Sequence, residues 1–85
     1  MSYKRPKRVP PPIPPPKVEG EIIASGTRVT HHRHGEGVFQ WAEWHDPEGN
    51  WVPPLDRDPE HGHWLGVVSL EFGSYMVPLT ELRKV

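Results

Sequence analysis

The run HWLGVVSLEF, residues 63–72, is the most strand-like stretch of this 85-residue chain. It is rich in the branched and aromatic residue types that favour a pleated sheet. Its apolar residues from Leu65 to Phe72 do not keep one strict alternation, which predicts a bend or bulge near Val68–Ser69. Gly73–Ser74 then turns the chain into a second strand, 75–77, so the segment predicts a β-hairpin.

Further short strands are predicted on both sides of this hairpin. Upstream, strands at 27–31 and 38–44 are joined by His34-Gly35-Glu36-Gly37, a tight turn in which both glycines are available for positive φ and His34 braces the turn. Downstream, Pro78 ends the hairpin, 79–82 resembles one helical turn, and 83–85 is a final strand. Four or five short antiparallel strands with almost no helix predict a small all-β sheet or barrel.

A long loop interrupts this strand pattern between residues 45 and 62. Its prolines, glycines and aspartates are typical of turns, and a loop of this length is usually functional or mobile. We expect its middle, Asn50-Trp51-Val52, to pack back on the sheet, and Asp56-Arg57-Asp58 to be solvated.

The N-terminal segment is a different kind of chain. Seven of the twelve prolines fall within residues 6–16, which predicts polyproline II or disorder because proline fixes φ and donates no backbone hydrogen bond. We therefore divide the sequence into a proline-rich basic arm, 1–20, and an all-β body, 21–85. The arm is interpreted as a stiff tether, a ligand for proline-recognition domains, or an inert tail.

Charge separates the same two regions. Residues 1–17 hold five basic residues and no acid, whereas residues 18–85 hold five basic residues against eleven acids. The arm is thus suited to contact phosphates or a second protein surface, while the acidic body repels nucleic acid. The predicted contact residues in the arm are Lys4, Arg5, Lys7, Arg8 and Lys17.

Residue types needed for catalysis are not arranged for it. The chain has no cysteine, no glycine-framed serine, no P-loop and no Glu-x-x-His on a helix, so we do not expect an enzyme. Neither a cofactor nor a metal is expected. The histidines suit zinc or nickel by type, but polar turn and strand-end positions account for them; they are His31, His32, His34, His45, His61 and His63.

We expect a cytoplasmic protein. A secreted domain of this size would usually carry disulfides. No run approaches 18 apolar residues, and no apolar segment follows the basic N-terminus as it would in a signal peptide.

Four tryptophans are many for 85 residues. We predict that Trp41 and Trp64 lie in the core, and that Trp44 and Trp51, which flank the long loop, are exposed. Exposed tryptophans serve as interface anchors, as walls of a cage for methylated lysine, or as stacking platforms for single-stranded nucleic acid. The scarcity of basic residues in the body disfavours the last alternative.

Two spaced motifs resemble a known module. They are Gly26-x-x-Val29-x-x-x-x-His34-Gly35-x-Gly37 and Leu65-Gly66-Val67-x-x-Leu70-x-Phe72-Gly73-x-x-x-Val77-Pro78-x-x-x-Leu82. In this order, they resemble the Tudor-like, SH3-like RNA-polymerase-interacting domain of CarD regulators and the transcription-repair coupling factor. A similar opening occurs in the C-terminal Tudor-like domain of UvrD-type helicases.

The resemblance implies a small Tudor-like or SH3-like barrel that docks on the β subunit of bacterial RNA polymerase. In that family an exposed strand edge makes the contact, a form of β-augmentation. The family's contact positions correspond here to Trp44 with His45 and to Tyr75 with Met76. Together with Trp51, these residues form the predicted partner-binding set.

Two functions follow as hypotheses. In the first, the chain is a non-enzymatic binding module that docks on RNA polymerase and modulates transcription, with the arm as a tether. In the second, it is a structural or assembly protein, for example a phage particle component, whose extended arm threads onto neighbouring subunits. Proline-rich arms suit the second role because they lose little conformational entropy on docking.

Overall fold

Short antiparallel strands form most of residues 13–85, the part of the chain that the computed structural model describes. The predicted arm contacts Lys4, Arg5, Lys7 and Arg8 lie outside this part. The strands are β1 (Lys17–Val18), β2 (Glu21–Ile22), β3 (Arg28–His31), β4 (Gly35–His45), β5 (His63–Ser69), β6 (Ser74–Pro78) and β7 (Leu82–Lys84). Two 3-10 turns, Pro54–Asp56 and Leu79–Glu81, are the only helical segments in this range. The all-β class and the near absence of helix are therefore confirmed.

Five of the strands form one sheet in the order β6-β5-β4-β3-β7, and every neighbouring pair is antiparallel. No pairing between β6 and β7 closes the sheet within the described residues, so it is open where a closed barrel was expected. The break falls where Pro78, which has no amide N–H, ends β6. The 3-10 turn then carries the chain to the far edge, where β7 pairs with β3.

The second sheet is a two-stranded hairpin, β1 with β2, which spans the boundary expected at residue 20. Val18 of this hairpin and the adjacent Ile23 are buried in the main core. Lys84 joins the hairpin to β7, because its amide N–H donates to Glu19 and its ammonium group pairs with Glu21 at 2.5 Å. The end of the proline-rich segment therefore packs on the body.

One face of the five-stranded sheet forms the core. Its buried members come from every strand of that sheet, and together with the hairpin and the second 3-10 turn they form one cluster: Val18, Ile23, Val29, Phe39, Val68, Tyr75, Val77, Leu79 and Leu82. Alternation along each strand places these side chains on one face. We call this the inner face, and the opposite one the outer face.

An irregularity in β4 decides which side chains reach which face. Phe39 pairs with Val68 and Trp41 pairs with Val67, so Gln40 is an extra residue without a partner on β5. The bulge was predicted on β5, near Val68–Ser69, but it lies on the neighbouring strand β4, at Gln40. The extra residue shifts the alternation by one, which turns Trp41 to the outer face and brings Ala42 and Trp44 to the inner face.

The β5–β6 hairpin turns earlier than its sequence predicts. β5 ends at Ser69, and the amide of Leu70 donates to the carbonyl of Gly73, whose φ is +93°. Phe72 lies in this turn with 87% of its surface exposed, so its assignment to the strand was wrong. An aromatic side chain at a turn has no neighbouring strand to pack against, which is why the strand-like composition misled here.

The β3–β4 turn uses its residues differently from the prediction. Gly35 has φ +85° as expected, but Gly37 lies within β4 and is not left-handed. A Cβ at Gly37 would lie 2.6 Å from the carbonyl oxygen of Ser69, so this glycine is required for close strand packing. The turn is braced by His31 in place of His34: its Nδ1 accepts hydrogen bonds from the amides of Arg33 and His34.

Candidate protein-binding surface

The outer face of β4, β5 and β6 presents a group of apolar side chains. Trp41, Val67 and Met76 lie side by side in register, and the next row holds Leu65 and Pro78. Trp41 and Met76 are 52% and 45% exposed, and the other three are half-buried. We call these five residues the outer patch. Contiguous exposed apolar area on a small protein marks an interaction site.

Hydrogen bonds hold the tryptophan of the outer patch in place. Its Nε1 donates to Oε2 of Glu43 at 2.8 Å, and the second oxygen of Glu43 lies 3.1 Å from Nε2 of His45. The bond from Trp41, and secondly that from His45, lowers the pKa of the Glu43 carboxyl because each stabilises the carboxylate. The indole is thus held in one orientation on the outer face.

The buried His45 connects this bond to the long loop. Its Nδ1 lies 3.0 Å from the carbonyl oxygen of Gly49, in a turn where Oδ1 of Asp46 accepts from the amides of Glu48 and Asn50. Trp51 then forms a β-bridge with His45. The expected return of residues 50–52 to the sheet is confirmed.

The outer patch borders an open strand edge. β6 pairs with β5 on one side, and no strand of the described chain pairs with its other side. Tyr75 points inward from β6, where its hydroxyl donates to the carbonyl of Gly35 at 3.1 Å and burial raises its pKa. Met76 points outward. An edge strand presents unpaired backbone groups that another chain can extend.

The structure redistributes the predicted partner-binding residues. Trp51 is 55% exposed as expected, and Met76 is exposed on the β6 edge. Trp44, His45 and Tyr75 are buried. The prediction that Trp44 is exposed was wrong, as was the prediction that Trp41 lies in the core. Trp64 packs against the core, as expected. A place beside the long loop does not expose Trp44, because the extra residue Gln40 shifts the alternation and turns Trp44 inward and Trp41 outward.

The tryptophans do not assemble a cage. Among the described residues, Trp44 and Trp64 are the only two in ring contact, with centroids 5.4 Å apart at 87°. The guanidinium of Arg57 lies over Trp64, 5.3 Å from the ring centroid. Arg57 thus occupies the face of Trp64 on which a methylated lysine would have to bind.

A second aromatic group surrounds His31 at the end of β3. Its ring is buried, it stacks on His32 with centroids 4.3 Å apart, and His34 stacks in turn on Tyr75. Because Nδ1 accepts two backbone bonds, the neutral ring carries its proton on Nε2, which donates to Glu81 at 2.7 Å. This bond lowers the pKa of Glu81.

Among residues 13–85, two groups of side chains have metal-ligand composition. They are His31 with His32 and Glu81, and Asp58 with Glu60 and His61; in each group the ligand atoms lie within 4.8 Å of one another. In the first group both nitrogens of His31 already have hydrogen-bond partners. In the second, Asp58 accepts from His61 and from the amide of Glu60, so both groups have a structural explanation.

No protein-family model matches this chain, and no curated protein or solved structure matches it either. In residues 13–85, no helix is long and apolar enough to cross a membrane.

Proposed function

We propose that this chain is a non-catalytic protein-binding module that docks through the open β6 edge and the outer patch. The observation that carries the proposal is the apolar row Trp41–Val67–Met76, which ends on the unpaired edge strand β6 and in which Trp41 and Met76 are exposed. Edge backbone groups supply hydrogen bonds, and the adjoining aromatic and thioether side chains supply the apolar anchors typical of interfaces.

The proposed partner is the β subunit of bacterial RNA polymerase, and the proposed effect is modulation of transcription. This partner rests on the resemblance of residues 26–85 to the polymerase-interacting domain. The strand order and the 3-10 turn before β7 are compatible with an open form of a Tudor-like or SH3-like barrel. Met76 keeps its proposed contact role, and Trp41 replaces the buried Trp44 and His45.

Binding of the full-length chain to purified bacterial RNA polymerase, measured by biolayer interferometry, tests this proposal. Trp41→Ala should weaken binding by about 30-fold or more, since central tryptophans at interfaces cost at least ~2 kcal/mol when truncated. Met76→Lys places a charge on the β6 edge and should abolish docking. The matched control is Phe72→Ala, which removes an even more exposed aromatic from the hairpin turn and should leave affinity unchanged.

Two outcomes contradict the proposal: the wild-type chain fails to bind polymerase, or both variants keep their thermal midpoints and bind polymerase as tightly as the wild type does. If the wild-type chain does not bind polymerase and forms ordered polymers in analytical ultracentrifugation, the structural or assembly function is favoured over the binding-module function.

A further inference from the structure

A second site lies around Trp64, whose β5 position pairs with Trp44. The half-buried Trp64 ring meets Trp44 edge to face. The guanidinium of Arg57 lies 5.3 Å from the Trp64 centroid and is itself held by a hydrogen bond from Nε to the carbonyl of Val52 at 3.3 Å. Two neighbours therefore fix the Trp64 ring, and its orientation does not depend on a ligand.

The Trp64 indole N–H points at the proline-rich segment. Its Nε1 donates to the carbonyl oxygen of Pro14 at 2.8 Å, across 50 residues of sequence. Two residues further on, the carbonyl of Pro16 accepts from the amide of Ile23 at 3.1 Å. The body thus holds two carbonyls of one extended segment.

Chemical complementarity explains this pairing. Prolines have no N–H, so carbonyls in a proline run find no donor within their own segment and accept bonds from outside. An indole is a donor only. Flat aromatic surfaces with a projecting N–H are suited to such segments, and the preformed backbone loses little entropy when it docks.

We propose that Trp64, with Arg57 and Trp44, forms a recognition site for proline-rich segments, and that residues 13–16 of the same chain occupy it. The site is separate from the outer patch and does not depend on the proposed polymerase docking. Its ligand class is an extended, proline-rich peptide. A segment supplied by another molecule binds there when the chain's own segment is released.

The test uses the full-length chain with Pro14→Gly and Pro15→Gly, which keeps the carbonyls but removes the preformed extended conformation. The four indole N–H signals are followed by NMR while a synthetic peptide with the sequence of residues 5–17 is added. In the wild type, we expect the Trp64 N–H to exchange with solvent at least ~10-fold more slowly than the exposed Trp51 N–H. In the double variant, this protection should be lost.

The added peptide should restore protection of Trp64 in the double variant and saturate it. In the wild type, the tethered segment competes at an effective concentration in the millimolar range, so apparent peptide affinity should be at least ~10-fold weaker. Trp64→Phe and, separately, Arg57→Ala, each added to the double variant, should abolish peptide binding, which isothermal titration calorimetry measures in variants that lack the Trp64 N–H. A peptide with every proline replaced by glycine is the matched control and should not bind.

The proposal is overturned if the wild-type Trp64 N–H exchanges as fast as that of Trp51. It is also overturned if the peptide binds the Trp64→Phe protein as tightly as its parent, or if the glycine peptide binds equally well. The last result would assign the interaction to the basic residues of the peptide alone.

Discussion

Trp41 and Trp44 lie three residues apart on one strand and are 52% and 3% exposed. Trp41 stands on the outer face, where Glu43 holds its indole and no strand of the described chain covers it. Trp44 lies between Trp64 and Gly62, with its Nε1 buried and without a hydrogen-bond partner. Residues three apart on a strand face opposite sides, and the extra residue Gln40 decides that Trp41 is the exposed one and Trp44 the buried one.

The largest expected effect is a difference in the free energy of unfolding between alanine variants of the two tryptophans. Trp44→Ala should lower the free energy of unfolding by about 3–5 kcal/mol, the range for buried aromatic truncations, and Trp41→Ala by less than about 1 kcal/mol. Urea denaturation followed by circular dichroism measures both. Equal losses would mean that the two rings are equally buried in solution.

A substitution at Gly62 tests how closely the long loop packs against Trp44 on the inner face. A Cβ at this position would lie 2.2 Å from Nε1 of Trp44 and 2.7 Å from the carbonyl oxygen of His45. Gly62→Ala should therefore cost about 1–3 kcal/mol through overpacking. Glu60→Ala, at an exposed position of the same loop, is the control and should change the urea midpoint little; similar losses in both would show that the loop does not pack on Trp44.

The orphan indole N–H of Trp44 gives a smaller effect. Trp44→Phe leaves a cavity, but it also removes a buried donor whose lack of a partner costs about 1–3 kcal/mol. The cavity lowers stability and the removal of the unpartnered N–H raises it. Trp44→Phe should therefore lose less than half of the stability that Trp44→Ala loses. The same urea experiment measures it, and equal losses in the two variants would indicate that the N–H has a partner.

The smallest expected effect is the pH dependence of the stability that Glu43 contributes on the outer face. Hydrogen bonds lower the pKa of Glu43 below 4.5 in the folded chain, so its contribution to stability is present above that pH and is lost as pH falls through the folded value. Glu43→Gln should reduce stability at neutral pH by less than about 1 kcal/mol. Urea midpoints should differ above pH ~5 and converge near pH ~2. A difference that persists in acid would mean that the carboxylate charge does not matter.

Local signals predicted much of the fold. The all-β class, the two tight hairpins of the main sheet, the left-handed Gly35, the turn at Gly73 and the return of residues 50–52 all follow from residue types within a few positions of one another. The exposed Met76 could also be anticipated, since it alternates with two apolar neighbours before Pro78. The polymerase partner and the role of the arm stay predictions.

Other features carried weak signals or none. His31 looked like one of several turn histidines, although its place at the strand end, two and three residues before the amides that it caps, is a pattern that a sequence can show. The contact of Pro14 with Trp64 has no local signal, because the two residues are joined only through the path of the whole chain.

By itself, then, the sequence determined which segments of the main sheet form strands, which segments turn, and that the chain is rich in interface-type aromatics. Only the tertiary structure decided that Gln40 is the extra residue, that Trp41 and not Trp44 faces outward, and that the proline segment meets an indole. The physical reason is that propensity and turn chemistry act over a few residues. Register, by contrast, is selected by the packing of all five strands against one core.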